Sequence, residues 1–146
     1  MRVIGLDLGS KRIGVALSDS SATIASPFTV IHRSKRLAED HRAIARLVAE
    51  EEAEHVVVGL PLSLNGGKGP AAKAAIAEAA ALATVLDVPV DLYDERRTTV
   101  TADAALMEAG LGAAARRRYV DKIAAAIMLQ GWLDARKARL AAGGAS

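Results

Sequence analysis

Three acidic positions stand apart from the ordinary surface charge. Asp7 lies between Leu6 and Leu8 in an apolar run, and Asp94-Glu95 closes another such run. Asp121 is followed at helical spacing by Ala124, Ala125 and Met128, so it shares a small-residue, inward face. Each has a plain explanation by itself. Asp7 can cap the turn at Gly9, Asp121 can sit favourably near a helix N-terminus, and Asp94-Glu95 can be loop charge. Together they demand more. An unpaired carboxylate in a central strand is costly, and two carboxylates 4 Å apart repel by about 4 kcal/mol at an effective dielectric near 20. A fold that gathers them needs a proton or a cation. Oxygen ligands in a chain with no Cys and no His cluster favour Mg²⁺ or Mn²⁺ over zinc. A pair of such ions about 3.5–4 Å apart clamps a phosphodiester, activating water and stabilising the leaving oxygen. Spacing alone neither brings the acids together nor chooses between Asp94 and Glu95.

The elements that must position these acids follow from hydrophobic period. Residues 3–8 form an apolar strand ended by Gly9-Ser10, and residues 12–19 a second, so the two are expected to pair as an antiparallel hairpin. Pro27 to His32 reads as a third strand with the proline at its first position. Leu37, Ile44, Leu47 and Val48 stripe a helix over roughly 37–52. His55 to Leu60 is β-branched and apolar throughout, as a strand buried on both faces should be. An alanine-rich helix is expected up to Leu86, with Ala72, Ile76, Ala79, Ala83 and Leu86 facing inward. Val88 to Tyr93 is a fifth strand, Val100 to Leu111 a helix, and a last helix runs from about Arg118 into the 130s. The order predicts an α/β fold: an antiparallel three-strand meander plus parallel strands in one mixed five-stranded sheet, flanked by helices. Ligands of such sheets gather at the carboxyl ends of parallel strands, where Asp7, Gly59 and Asp94-Glu95 fall.

Composition narrows the class. A chain of 146 residues suits one domain, expected over 1–140, with 141–146 as a frayed tail. With 51% apolar and 25% charged residues, the chain is that of a soluble globular protein. Zero cysteines exclude a disulfide scaffold, thiol catalysis and a thiolate zinc site. The start meets Asp7 before a signal-length apolar segment can form, and no stretch is long enough to span a bilayer, so the cytoplasm is the expected location and no membrane partner is expected. Basic and acidic residues number eight and five in 1–50, four and eight in 51–100, and seven and four in 101–146. The two positive ends carry Arg33-Ser34-Lys35-Arg36 and Arg116-Arg117-Arg118. With aromatics at 3%, a protein that stacks single-stranded bases on aromatic rings is disfavoured.

Lys11 and Arg12, just after the first acid, are placed to hold phosphates, as are Arg117 and Arg118 one helical turn before Asp121 if the last helix reaches them. A solvated turn and a plain basic surface are the alternatives. Gly66, Gly67 and Gly69 allow a phosphate to approach the backbone, but Leu62 and the Gly after Lys68 exclude a Walker loop. His32, His41 and His55 are isolated and read as surface or strand-end residues, and Trp132 and Met128 as packing.

Gly5-Leu6-Asp7-Leu8-Gly9-Ser10-Lys11-Arg12-Ile13-Gly14-Val15-Ala16 resembles the opening motif of the YqgF family, also called RuvX and known for Holliday junction resolvases. Gly59-Leu60-Pro61-Leu62 with Asn65-Gly66 is similar to its second motif, and Asp94-Glu95-Arg96 with Thr98-Thr99 to its third. Asp121-Lys122-Ile123-Ala124-Ala125 followed by Leu129-Gln130 is similar to the fourth. The resemblance covers nearly the whole chain. It implies an RNase H-like fold and a metal-dependent nuclease, with 5′-end maturation of pre-16S rRNA as the bacterial role. By that resemblance Asp7, Glu95 and Asp121 are the catalytic acids and hold Mg²⁺ or Mn²⁺; Lys11, Arg12, Arg96, Arg117 and Arg118 are the residues expected to contact nucleic acid. Arg97 departs from the family, which usually has an apolar residue there. The implied partner is structured RNA, with branched DNA as the alternative, and the protein is expected as a monomer or homodimer. Junction resolution by paired nicks would require the dimer. A nucleic-acid-binding protein without catalysis, and a phosphate-binding module like those of sugar kinases and actin, are the rival classes.

Overall fold

The computed structural model describes residues 1–61, 67–94 and 113–143, and within 113–119 the backbone alone. Five strands form one sheet in the order β3-β2-β1-β4-β5: β1 (Val3–Leu8), β2 (Arg12–Ser18), β3 (Ala25–His32), β4 (His55–Leu60) and β5 (Val90–Asp94). β1 to β3 form the antiparallel meander, and β4 and β5 add on parallel to β1. Helices α1 (Leu37–Glu50) and α2 (Pro70–Val85) cover one face, and α3 (Ala113–Gly143) covers the other. The helix expected over 100–111 lies outside the described residues.

Strand alternation sorts the side chains between two cores. Ile4, Leu6, Ile13, Val15, Val56 and Val58 are fully buried toward α1 and α2, where Ile44 and Leu82 meet them. Val3, Ala16 and Val57 point the other way and are buried beneath Ala125, Met128, Leu129, Trp132 and Leu133 of α3. β4 thus contributes to both cores, which is why its sequence shows no polar alternation.

Several local expectations change. Pro27 is the third residue of β3, on the sheet's edge, next to a register shift: Val15 pairs with Thr29 and Ala16 with Pro27. A proline is tolerated at such an edge bulge because the ladder is already interrupted there. Leu37 is exposed, and the inward positions of α1 are Asp40, His41, Ile44 and Val48. The buried row of α2 is Ala72, Ala75, Ala79 and Leu82, so Ala83, expected inside, faces solvent. α3 begins five residues before Arg118 and runs through Gly143, three residues into the stretch expected to fray. At mid-helix, Gln130 ties α3 to the start of β3: its side-chain amide donates to Thr23 O at 2.9 Å, and its Oε1 accepts from Ala25 N–H at 2.8 Å.

Candidate functional site

Two of the acids singled out by sequence come together over one glycine. Asp7 is the second-last residue of β1, half-buried, and its register partner across the hairpin is Gly14 of β2. Both share the alternation of Val3, Gly5 and Ala16, so both face α3. The backbone of α3 lies directly on Gly14: a Cβ there would sit 1.9 Å from the carbonyl oxygen of Asp121 and 3.1 Å from its Cα. Only a residue without a side chain admits the helix this close. Gly5 repeats the device, since a Cβ on it would lie 2.9 Å from Leu129 Cβ. Glycines on two adjacent strands therefore set the depth at which α3 lies, and with it the place of Asp121 over the hairpin that carries Asp7.

The Asp121 carboxylate is not left bare. Arg12, which shares the α3 face with Gly14, donates from Nε to Asp121 Oδ2, and the two side chains keep 25% and 20% of their exposure. This corrects one ordinary reading of Asp121: it is the ninth residue of α3 and not in the first turn, so helix-end stabilisation does not explain it. It also gives Arg12 a partner that the sequence reading lacked. Lys11 is exposed at the tip of the turn. Arg117 and Arg118 are in α3, four and three residues before Asp121, where the helix period returns to the same side. Glu95 and Arg96 lie outside the described residues, as do Leu62 to Gly66 of the second motif. Asp94 ends β5 with the parity of Val90, which packs toward α1 and α2, while Tyr93 packs toward α3.

The turn that carries Lys11 and Arg12 is tightly braced. Gly9 N–H donates to Arg12 O at 2.9 Å, and Arg33 N–H donates to Lys11 O at 2.9 Å. Sequence reasoning placed Arg33 with Lys35 and Arg36 in a basic surface cluster and read His41 as isolated. His41 is buried and Arg33 half-buried instead. Arg33 binds Glu78 through two nitrogens, NH1 to Oε2 at 2.7 Å and NH2 to Oε1 at 2.8 Å, and its Nε donates to Gly9 O at 2.9 Å. His41 Nε2 lies 2.8 Å from the same Glu78 Oε2. Burial pushes the Glu78 carboxyl up, but the Arg33 hydrogen bond, then the His41 hydrogen bond and the charges of both, hold it below its usual value. One sign of this network was present in the sequence: Glu78 is the single charge in the apolar stretch from Ala74 to Leu86, an anomaly of the same kind as Asp7. Of the other histidines, His32 is exposed at the end of β3, and His55 stacks on Trp132 with ring centroids 4.9 Å apart.

Among the described residues no three His, Cys, Asp or Glu side chains gather as a metal site. Asp7 and Asp121 nonetheless bring carboxylates to one side of the sheet in a chain without cysteine, a donor type that suits a hard divalent cation. No helix of the described residues is long and apolar enough to cross a membrane.

The sheet order, with helices on both faces, defines an RNase H-like fold. Its likeness extends to a solved structure titled "T. thermophilus RuvC in complex with Holliday junction substrate", with a TM-score of 0.58 at 20% identity over 94% of this chain and 96% of that one. The family model described as "RuvX: Holliday junction resolvase" matches residues 1–135, and the chain belongs to that family of phosphodiester-cleaving enzymes. A relative from Myxococcus xanthus (strain DK1622) is 47% identical over 137 residues, covering 94% of this chain and 90% of its own. One from Mycobacterium sp. (strain KMS) is 49% identical over 144 residues, covering 98% and 85%. Both carry the name "Putative pre-16S rRNA nuclease".

Proposed function

We propose that this protein is a divalent-metal-dependent nuclease of the cytoplasm that matures the 5′ end of precursor 16S rRNA. The observation that carries the reading is that Gly14, the register partner of Asp7, lies directly under the backbone of Asp121, at the carboxyl end of the central strand, where the chemistry of such sheets is found. The names of the relatives supply the substrate. Glu95 is the third acid: of the adjacent pair, Asp94 has the strand parity that faces away from α3, which favours its neighbour.

Asp7, Glu95 and Asp121 would hold Mg²⁺ or Mn²⁺, which supplies Lewis acidity toward the scissile phosphate and the attacking water. The chain's own residues do the rest. Arg12 fixes the Asp121 carboxylate and neutralises it, so that the crowded acids are tolerated before substrate arrives. Lys11, Arg96, Arg117 and Arg118 hold backbone phosphates on either side of the acids, and such contacts set position more than sequence preference. The test is incubation of the protein with precursor 16S rRNA and Mg²⁺ or Mn²⁺. Asp7→Asn is expected to lower cleavage by more than about a hundredfold while leaving thermal unfolding unchanged or slightly later. Cleavage by that variant at the wild-type rate ends the proposal.

A second reading is favoured by the description of the family model: cleavage of four-way DNA junctions. Paired symmetric nicks need two active sites related by a two-fold axis. A protein that stays monomeric on junction DNA and leaves it uncut speaks for RNA.

A further inference from the structure

The buried ionic cluster between β3, α1 and α2 is not used by the nuclease chemistry above, yet it touches the turn that serves that chemistry. Arg33, Asp40, His41 and Glu78 keep 13%, 4%, 6% and 12% of their side-chain exposure. Every nitrogen of the Arg33 guanidinium is assigned: two to Glu78 of α2, and Nε to the carbonyl of Gly9, two residues after Asp7. NH1 also lies 3.7 Å from Asp40 of α1, whose Oδ1 accepts from Ser34 N–H at 2.8 Å. His41 closes the cluster on Glu78.

Stability alone is a poor reason for this arrangement. Desolvating a charge pair costs several kcal/mol per ion, and apolar residues of similar volume often serve as well or better. What the cluster supplies is geometry, because a planar fork bonded at all three nitrogens admits one placement. That placement governs residues 9–12. The turn is gripped from the α1/α2 side by Arg33, through its side chain to Gly9 and its backbone to Lys11, and from the α3 side by Arg12 and Asp121.

Building on the nuclease reading, we propose that Arg33, locked by Glu78 and His41, is a positioning residue that aims the Asp7–Arg12 turn at the acids under α3. It touches neither substrate nor metal; it acts through the Gly9 carbonyl. Loss of the fork leaves the acids in place but lets Arg12 and Lys11 wander, and a misplacement of about 1 Å costs up to about a hundredfold in rate.

The experiment compares wild type with Arg33→Met, Arg33→Lys and the double variant Arg33→Met/Glu78→Leu. Cleavage of precursor 16S rRNA (kcat and KM), thermal unfolding and amide hydrogen exchange of residues 9–12 are measured on each. Arg33→Met is expected to lose at least about tenfold in kcat, with KM within about twofold. Arg33→Lys, which cannot reach Gly9 and both Glu78 oxygens at once, is expected to recover less than half of that loss. The double variant, with the buried pair replaced by apolar groups, is expected to regain thermal stability without regaining kcat. Exchange at residues 9–12 is expected to quicken about tenfold in all three, with the β1 and β4 core unchanged. A kcat that returns together with stability in the double variant overturns the proposal, as does wild-type kcat in Arg33→Met. If Arg33→Met does not fold, the double variant and Arg33→Lys decide by the same criteria. Failure of the wild type itself to cleave RNA condemns the nuclease reading instead, and exchange at residues 9–12 then decides the role of Arg33 alone.

Discussion

The two faces of the sheet solve the packing problem in opposite ways. Toward α1 and α2 the strands present Ile, Leu and Val, and helix distance is set by the volume of aliphatic side chains. Toward α3 they present Gly5, Gly14 and Ala16 beside Val3 and Val57, and at the glycines the helix backbone rests almost on the strands. The first face resists unfolding by burying apolar area. The second gives up that area to bring one backbone, and the carboxylate it carries, within reach of another. Polar groups follow the same division, since Asp7 and the Arg12–Asp121 pair lie between the sheet and α3 while the fully bonded Arg33 cluster is held under α1 and α2.

The sharpest way to break this contrast is to add one carbon at Gly14. Gly14→Ala places a methyl group against the Asp121 carbonyl, which is backbone and cannot rotate away. The variant is expected to lose more than about 3 kcal/mol of stability and, where still folded, more than about a hundredfold in cleavage, read by denaturant titration and single-turnover assay. Ile44→Ala probes the opposite face. It should cost about 2–5 kcal/mol in the same titration, because Ile44 is fully buried, yet leave the rate per folded molecule within about twofold. A large loss of rate from Ile44→Ala would dissolve the distinction between the faces.

The smallest effect concerns pH. Against the effect of burial, the folded-state carboxyl of Glu78 is held below the ordinary glutamate value, chiefly by its hydrogen bonds to Arg33 and His41. A depressed carboxylate contributes stability that is present above the unfolded value and lost as pH falls through the folded one. Glu78→Gln removes that contribution, so it should destabilise the protein by about 1–3 kcal/mol at pH 7. The gap to wild type should then narrow below about pH 4.5, as seen in urea titrations at stepped pH. A gap that stays constant down to pH 3 would mean that folding favours the ionised form of Glu78 no more than the protonated one.

Strand order was legible because β1 apart from Asp7, and β4 after His55, are apolar runs, and hairpin and crossover rules leave few ways to arrange them. Asp7 and Asp121 were legible as anomalies, charges set among residues that should be inside. The inward face of α2 was legible only in part, with Ala72, Ala79 and Leu86 buried as expected but Ala83 exposed and Ala75 inside, because a helix of alanines has nearly the same hydrophobicity on every side and its orientation is chosen by the partner. The inward face of α1 was read correctly at Ile44 and Val48 but missed at Asp40 and His41, for a different reason. Asp40 and His41 look like surface residues until Arg33, Ser34 and Glu78 supply their hydrogen bonds. Long-range ion pairs of this kind leave no period in the sequence. Arg12 illustrates the same limit, since its partner Asp121 is 109 positions away.

The proline and the bulge in β3 bear on how copies of this chain could associate. A strand on the rim of a sheet invites a neighbouring molecule to continue the ladder unless it is bent or short of donors. Here Pro27 removes one donor, and the slip opposite Val15 and Ala16 twists the rim. Joining two molecules into one continuous ten-stranded sheet through this rim is therefore disfavoured, and a two-fold pair that cuts both arms of a branched substrate would have to meet through its helices or through β5.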